Sequence, residues 1–300
     1  MASFFDEINR NRIKSALLML IFVALFSVIL YLLVVLFGGG PIILTLGVVF
    51  IIAYALFTYF MGHKIVLKVS GAKKADSKDY PYLFSTVEGL AAAIQIPMPE
   101  IYIVKDPNPN AFATGRNKKH ACVAVTTGLL SIMNKEELQG VLAHEMSHIQ
   151  DNDILYMMIA VVFAGAIGLI GALMRNILIF GGLGAGGRRG GGGLLLLIGL
   201  AVGILAPIFA VLLKLAISRR REYMADANGA RLIRDPGALA SALKKIQAYT
   251  TNPQSPPTAH ANTINSSLYF SNPFKKSSFA NLLSTHPPIE DRIARLQKMY

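Results

Sequence analysis

The sequence predicts a mainly α membrane protein, with four transmembrane helices in two hairpins and a cytoplasmic α+β portion divided between them. Three observations predict it. Of 300 residues, 53% are hydrophobic and only 15% charged, too apolar for an ordinary soluble domain. Uncharged apolar runs at residues 15–37, 42–60, 154–174 and 194–213 are each close to the roughly 20 residues a helix needs to cross hydrocarbon. Finally, basic residues gather at alternate run ends, which is the mark of a cytoplasmic side.

The first run reads as a retained anchor. Its apolar part is longer than the about 7–15 residues of a signal-peptide core, and no small-x-small cleavage site precedes a polar start. Arg10, Arg12 and Lys14 precede it; Lys64, Lys68, Lys73, Lys74 and Lys78 follow the second run; Lys214, Arg219, Arg220 and Arg221 follow the fourth. Those ends belong inside. "GGGP" at 38–41 and the glycine-rich stretch after Met174 are then outside, with Arg175, Arg188 and Arg189 as a mild contradiction. The formal charge of +12 is thus a basic collar beside anionic headgroups, and no nucleic-acid partner is expected.

Four segments follow: an N-terminal helix hairpin (1–62), a first polar part (63–153), a second hairpin (154–217) and a second polar part (218–300). In the first polar part, "YPYLFSTVEGLAAAIQI" has helical apolar spacing, whereas "EIYIVKD" and "ACVAVTT" read as short strands. "NKEELQGVLAHEMSHIQDND" reads as a helix capped by Asn134, with Glu136 and Glu137 in the first turn where the helix dipole favours them. In the second polar part, "SRRREYMADANGARLI" continues the fourth apolar run as a helix. The chain breaks at Asp235-Pro236-Gly237, resumes in "ALASALKKIQAY" and ends in an amphipathic "PIEDRIARLQKM". The lone cysteine, Cys122, excludes an intrachain disulfide and reads as a small core residue. "GGLGAGGRRGGGG" at 181–193 lacks the lysine, the hydroxyl and the preceding strand of a phosphate-binding loop, and reads as a linker.

The chemistry-bearing stretch is "HEMSH" at 144–148. At about 100° per residue His148 lies only about 40° round the helix from His144, and Glu145 about 60° from His148. Two imidazoles so placed can bind one zinc ion, and Glu145 is then near enough to take a proton from the water that attacks. A catalytic site needs a third protein ligand. His63, His120, His260, His286 and the acidic residues are the candidates, and topology prunes them. The chain crosses twice after His148 and re-emerges near Lys214; the first acidic residue after that is Glu222, with Asp226 four further on the same helical face. Glu222 as ligand and Asp226 as the acceptor fixing a ligand imidazole is economical. The bland alternative is that Glu222 pairs with the three arginines before it. From His148 to Ile154 is about 9 Å of helix and from Ile217 to Glu222 about 7.5 Å. Both ligand helices are therefore expected to be extensions of membrane helices, with the metal within roughly 10 Å of the bilayer surface.

"HEMSH" at 144–148, "SRRREYMADANGA" at 218–230, "NAFATG" at 110–115 and "STHPPIEDRI" at 284–293, interleaved with four apolar runs, resemble the HtpX family of bacterial inner-membrane zinc metalloproteases. The resemblance spans essentially the whole chain. It implies a cytoplasmic α+β gluzincin-like protease domain with a small β-sheet, acting on misfolded or damaged membrane proteins in quality control and stress response. It further implies His144, His148 and Glu222 as ligands of one Zn²⁺ per chain, Glu145 as general base, Asp226 behind the ligands, and His286 as an oxyanion stabiliser, with Tyr223 the other candidate. It gives Asn110, Ala111, Phe112 and Ala113 a task as well: an edge strand whose free backbone groups hold an extended substrate. Its implied partners are unfolded membrane segments and the lipid bilayer. A CAAX-type processing protease shares the zinc motif, but its eukaryotic members have more membrane helices. A non-enzymatic membrane protein with a structural metal would more typically use four protein ligands.

Overall fold

The computed structural model describes residues 4–36, 40–176, 219–252, 254–256, 270 and 287–299. Two long helices, α1 (Phe4–Leu36) and α2 (Pro41–Val69), come first. A four-stranded sheet follows, interrupted by helix α3 (Pro81–Ala93): β1 (Ala72–Lys74), β2 (Glu100–Val104), β3 (Ala111–Gly115) and β4 (Ala121–Thr126). After a short α4 (Thr127–Ile132) come α5 (Lys135–Gln150), α6 (Asp153–Asn176), α7 (Arg219–Ile233), α8 (Pro236–Thr251) and α9 (Ile289–Gln297). The expected strands and the helices expected in the two polar parts are present; β1 and α4 are additions. The fourth apolar run and the glycine-rich stretch lie outside the described residues.

Strand order is β1-β2-β4-β3, with β2 and β4 parallel and the two outer pairs antiparallel. The sheet is covered on both faces, which is why β4 reads as a continuous apolar run rather than an alternating one. Ile101, Ile103, Ala111, Ala113, Val123 and Val125 face a core shared with α3, α5, α8 and α9. Phe112, Cys122 and Ala124 face the opposite way, into a second core with residues of α1, α2 and α6. There the rings of Phe22 and Phe163 stack 3.7 Å apart.

Among the described residues α2 is the one helix long and apolar enough to cross a membrane. It runs seven residues beyond the expected end at 62, and Ile42, Leu46, Phe50 and Phe57 stand exposed along it. A helix that turns large apolar side chains outward suits lipid rather than water. By contrast, residues 154–163 of α6 are buried against the other helices, so this stretch begins inside protein.

α5 opens as expected. Asn134 accepts from the Glu137 N–H while the Glu137 carboxylate accepts from the Asn134 N–H, a complete capping box. Glu137 also takes hydrogen bonds from Ser241 (2.7 Å) and Lys245 (2.6 Å), tying α5 to α8. The C-terminal end differs from expectation. α5 is not a continuous extension of α6: it stops at Gln150, and Asn152 turns the chain with φ 56° before α6 starts. Asparagine tolerates that left-handed conformation better than most residues.

α7 lies hard against α5 at Gly229, where an added Cβ would sit 2.9 Å from the His144 backbone nitrogen. Backbone cannot yield as a flexible side chain would. Gly229→Ala should therefore push α7 off α5, lower stability by about 1–3 kcal/mol and weaken metal binding. Thermal unfolding and zinc titration of the detergent-solubilised protein check both; unchanged values would show that the helices can separate freely.

Candidate active site

His144, Glu145 and His148 project from α5, and Glu222 and Asp226 from α7; all five side chains are buried. The crossing permitted by Gly229 brings the two helices' polar faces together. His144 Nε2 and His148 Nε2 are 3.2 Å apart; Glu222 Oε2 lies 3.7 Å from the first and Glu222 Oε1 3.6 Å from the second. Four-coordinate zinc with bonds of about 2.0–2.1 Å needs donors about 3.3–3.4 Å apart. These three residues form a group whose donor atoms all lie within 4.8 Å of one another. The donor set, two imidazoles and a carboxylate, fits such an ion in type and spacing.

Each ring is fixed from behind. His144 Nδ1 is 2.9 Å from Asp226 Oδ1, and His148 Nδ1 is 3.2 Å from Asp153 Oδ2. A carboxylate on Nδ1 holds the proton there and leaves Nε2 as the lone-pair donor. Asp226 is in turn gripped twice by Arg292, through Nε to Oδ2 at 2.8 Å and Nη2 to Oδ1 at 2.7 Å. Arg292 is 1% exposed, and a buried guanidinium stands only when paired in this way.

Electrostatics separate the three α5 groups. Burial lowers His144 to about 4, so it is neutral at pH 7. Burial would lower His148 too, but the Asp153 hydrogen bond and the Glu222 charge overrule it and lift the ring to about 9. Burial raises Glu145 to about 7, against the pull of the His148 charge and of a hydrogen bond from the Ala113 backbone. A carboxyl poised near neutrality can both take and return a proton.

The sequence-predicted residues thus meet, with some exceptions. His286 and His260 lie outside the described residues. His120 is bound to Arg116 and Asn117 instead. The Tyr223 ring lies 3.7 Å beneath the Arg295 guanidinium. Asn110 directly precedes edge strand β3 and Ala111 to Ala113 open it, all four buried. Two residues were missed by sequence reasoning, Asp153 and Arg292. A signal existed for Arg292: Ile289, Arg292, Ile293 and Leu296 fall at i, i+3, i+4 and i+7, so the arginine stands on the apolar stripe of α9. For Asp153 the signal was weaker, since only the break after α5 brings it beside His148.

Comparison with known proteins places the chain in a family. The model of "Peptidase family M48" matches residues 77–300. The chain is 44% identical over 290 residues to a "Protease HtpX homolog" of Caldanaerobacter subterraneus subsp. tengcongensis, covering 93% of each chain. It is 41% identical to proteins of the same name from Dictyoglomus thermophilum (99% of this chain, 95% of the relative) and Streptococcus thermophilus (98% and 99%). The crystal structure of Ste24p from S. mikatae superposes with a TM-score of 0.50 at 18% identity, covering 94% of this chain and 62% of that longer one, a likeness of fold. With a family match over most of its length and relatives above 40% identity from end to end, the protein belongs to peptidase family M48 and is a membrane metalloprotease.

Proposed function

We propose that this metalloprotease holds one zinc ion between His144, His148 and Glu222 and cleaves unfolded or misfolded membrane-protein segments on the cytoplasmic side of a bacterial inner membrane. The observation that carries the reading is the three-donor group with both Nδ1 atoms already tied to carboxylates. When bound, zinc supplies Lewis-acid chemistry, polarising a peptide carbonyl and making water acidic enough to lose a proton near neutral pH.

The chain's own residues do the rest. Glu145 takes the proton of the attacking water and delivers it to the leaving nitrogen, a cycle suited to a carboxyl whose pKa burial has raised to about 7. His286 is proposed to steady the developing oxyanion. β3 is the proposed substrate edge: a strand laid beside it is recognised through backbone groups, which selects unfolded chain rather than a sequence. The outward apolar faces of α1 and α2 support a lipid-embedded, multi-pass arrangement of two hairpins with the site close to the bilayer. As for a purely structural metal, such sites are closed by four protein ligands, whereas the described residues gather three donors.

The test is purification with a chelator, zinc add-back and an unfolded membrane protein as substrate. Glu145→Gln should lower kcat by about 10²–10⁴-fold or more while keeping stoichiometric zinc; cleavage equal to the wild type would sink the assignment. Glu222→Ala should lose zinc and activity together, and tight zinc retained would place the third ligand elsewhere. The pH dependence follows from His148. Lifted to about 9 without metal, it is protonated at pH 7 and must shed that proton to bind. Zinc affinity should therefore weaken about ten-fold per pH unit as pH falls, read by competition titration at about pH 6, 7 and 8. A flat profile would contradict the protonated resting state of His148.

A further inference from the structure

A cavity of about 310 Å³ lies where α1, α2, the β3–β4 turn and the α5–α6 turn meet, and none of the three metal donors lines it. That size is at the lower end for small-ligand pockets, about 300–1,000 Å³. One wall is mainly apolar, from Met19 of α1, Tyr59 of α2 and Leu155 of α6. The other is polar, from Arg116 and Asn117 in the β3–β4 turn and Asn152 between α5 and α6. Asn152 is 5% exposed, and its Nδ2 is buried with no hydrogen-bond partner among the described residues. A donor left so is costly, and it points to an acceptor that belongs there. The Arg116 guanidinium lies 5.2 Å from the Phe60 ring centre and donates to His120 Nε2 at 2.8 Å, so its charge meets rings rather than a carboxylate. Asn117 Oδ1 is taken up by the Lys119 and His120 N–H groups and by His120 Nδ1, which leaves its NH2 for the cavity. Among the described residues no carboxylate lines this space. Asp151 and Asp153, on either side of Asn152, face Asn228 and His148 instead.

Donor groups without an acidic neighbour, set opposite an apolar wall, fit an anion carried by an amphiphile. The setting agrees. Phe60 stands 50% exposed on α2, the helix that turns apolar side chains outward, so Arg116 above its ring lies at the level where hydrocarbon gives way to headgroups. Lys118 and Lys119 follow on the same turn and add positive potential facing an anionic surface. We propose that this cavity binds one anionic phospholipid, its phosphate held by Arg116, Asn117 and Asn152 and the start of its acyl chains laid along Met19 and Leu155. Guanidinium and amide N–H groups suit phosphate oxygens, whereas a peptide segment would bring N–H donors of its own to a wall that already presents donors. The bound phosphate satisfies the Asn152 amide. It also ties the β3–β4 turn to the joint between α5 and α6, four residues after His148. This site depends on α2 being embedded in lipid, and it needs neither zinc nor catalysis.

The experiment uses the full-length protein, stripped of lipid in a neutral detergent and titrated by calorimetry with dioctanoyl phosphatidylglycerol. Binding should saturate at a single lipid per chain. Dioctanoylglycerol, which keeps the chains and lacks the phosphate, and inorganic phosphate should each bind about ten-fold more weakly or worse. Arg116→Gln should weaken the phospholipid about ten-fold or more, and Asn152→Asp should do the same by setting a carboxylate against the phosphate. Aspartate tolerates the φ of 56° as asparagine does, so the second variant keeps the turn. Lys68→Gln, exposed on α2 and outside the cavity, should change affinity less than about two-fold. An equal loss in Lys68→Gln would reveal a diffuse basic surface and overturn the site. Dioctanoylglycerol binding as tightly would reduce it to an apolar groove, and inorganic phosphate binding as tightly would make it a site for the free ion; either result overturns the proposal. Unchanged affinity in Arg116→Gln or Asn152→Asp does so too. Should one of these variants fail to fold, the other decides, and the comparison of the three ligands on the wild type needs neither.

Discussion

The pairing of Asp226 with Arg292 is the interaction on which the rest of the site depends. Both groups are buried, and neither charge is tolerable there alone. The pair joins α7 to α9, and its remaining oxygen capacity fixes His144 on α5. Three helices distant in sequence are thereby held in one register about a single carboxylate. Burial pushes the Asp226 carboxyl up, but the guanidinium and the imidazole beside it hold it below its ordinary range. It stays an acceptor, which is the state that orients the ring. Removing either partner would leave an uncompensated charge among apolar neighbours, so the cluster stands or fails together.

The sheet gives this cluster its setting. One face carries the core beneath α5; the other packs against the long helices at the N-terminus and α6. The strands thus lie between α5 and the two N-terminal helices, while α6 reaches the site directly through Asp153. Phe112 shows how closely the two are joined, since its backbone belongs to the edge strand near Glu145 while its side chain lies in the far core.

Much of this was legible in the sequence because local rules acted alone. The Asn134 and Glu137 cap fixed the start of α5, and the i, i+4 spacing put His144 with His148 and Glu222 with Asp226 on common faces. The strand at β4 was legible, but its burial on both faces was not, since it was read only as a short strand. What escaped depends on long-range approach. Arg292 meets Asp226 across 66 positions of chain, and no spacing rule links them. Asp153 escaped because a continuous helix was expected where Asn152 turns the chain. Of the expected spans, α2 meets the length and apolarity needed among the described residues, whereas the opening of α6 is buried against other helices.

The turn at Asp151 and Asn152 separates the directions of two helices. In an unbroken helix, the faces of the downstream part would be fixed relative to the two histidines at about 100° per residue. A left-handed residue at φ 56° ends that phase relationship. The direction of α6 is therefore set at this turn and not by the helix that carries the two histidines. The link across the joint is the contact of Asp153 with His148, at the first residue of α6. Across that turn the two helices are coupled at one carboxylate.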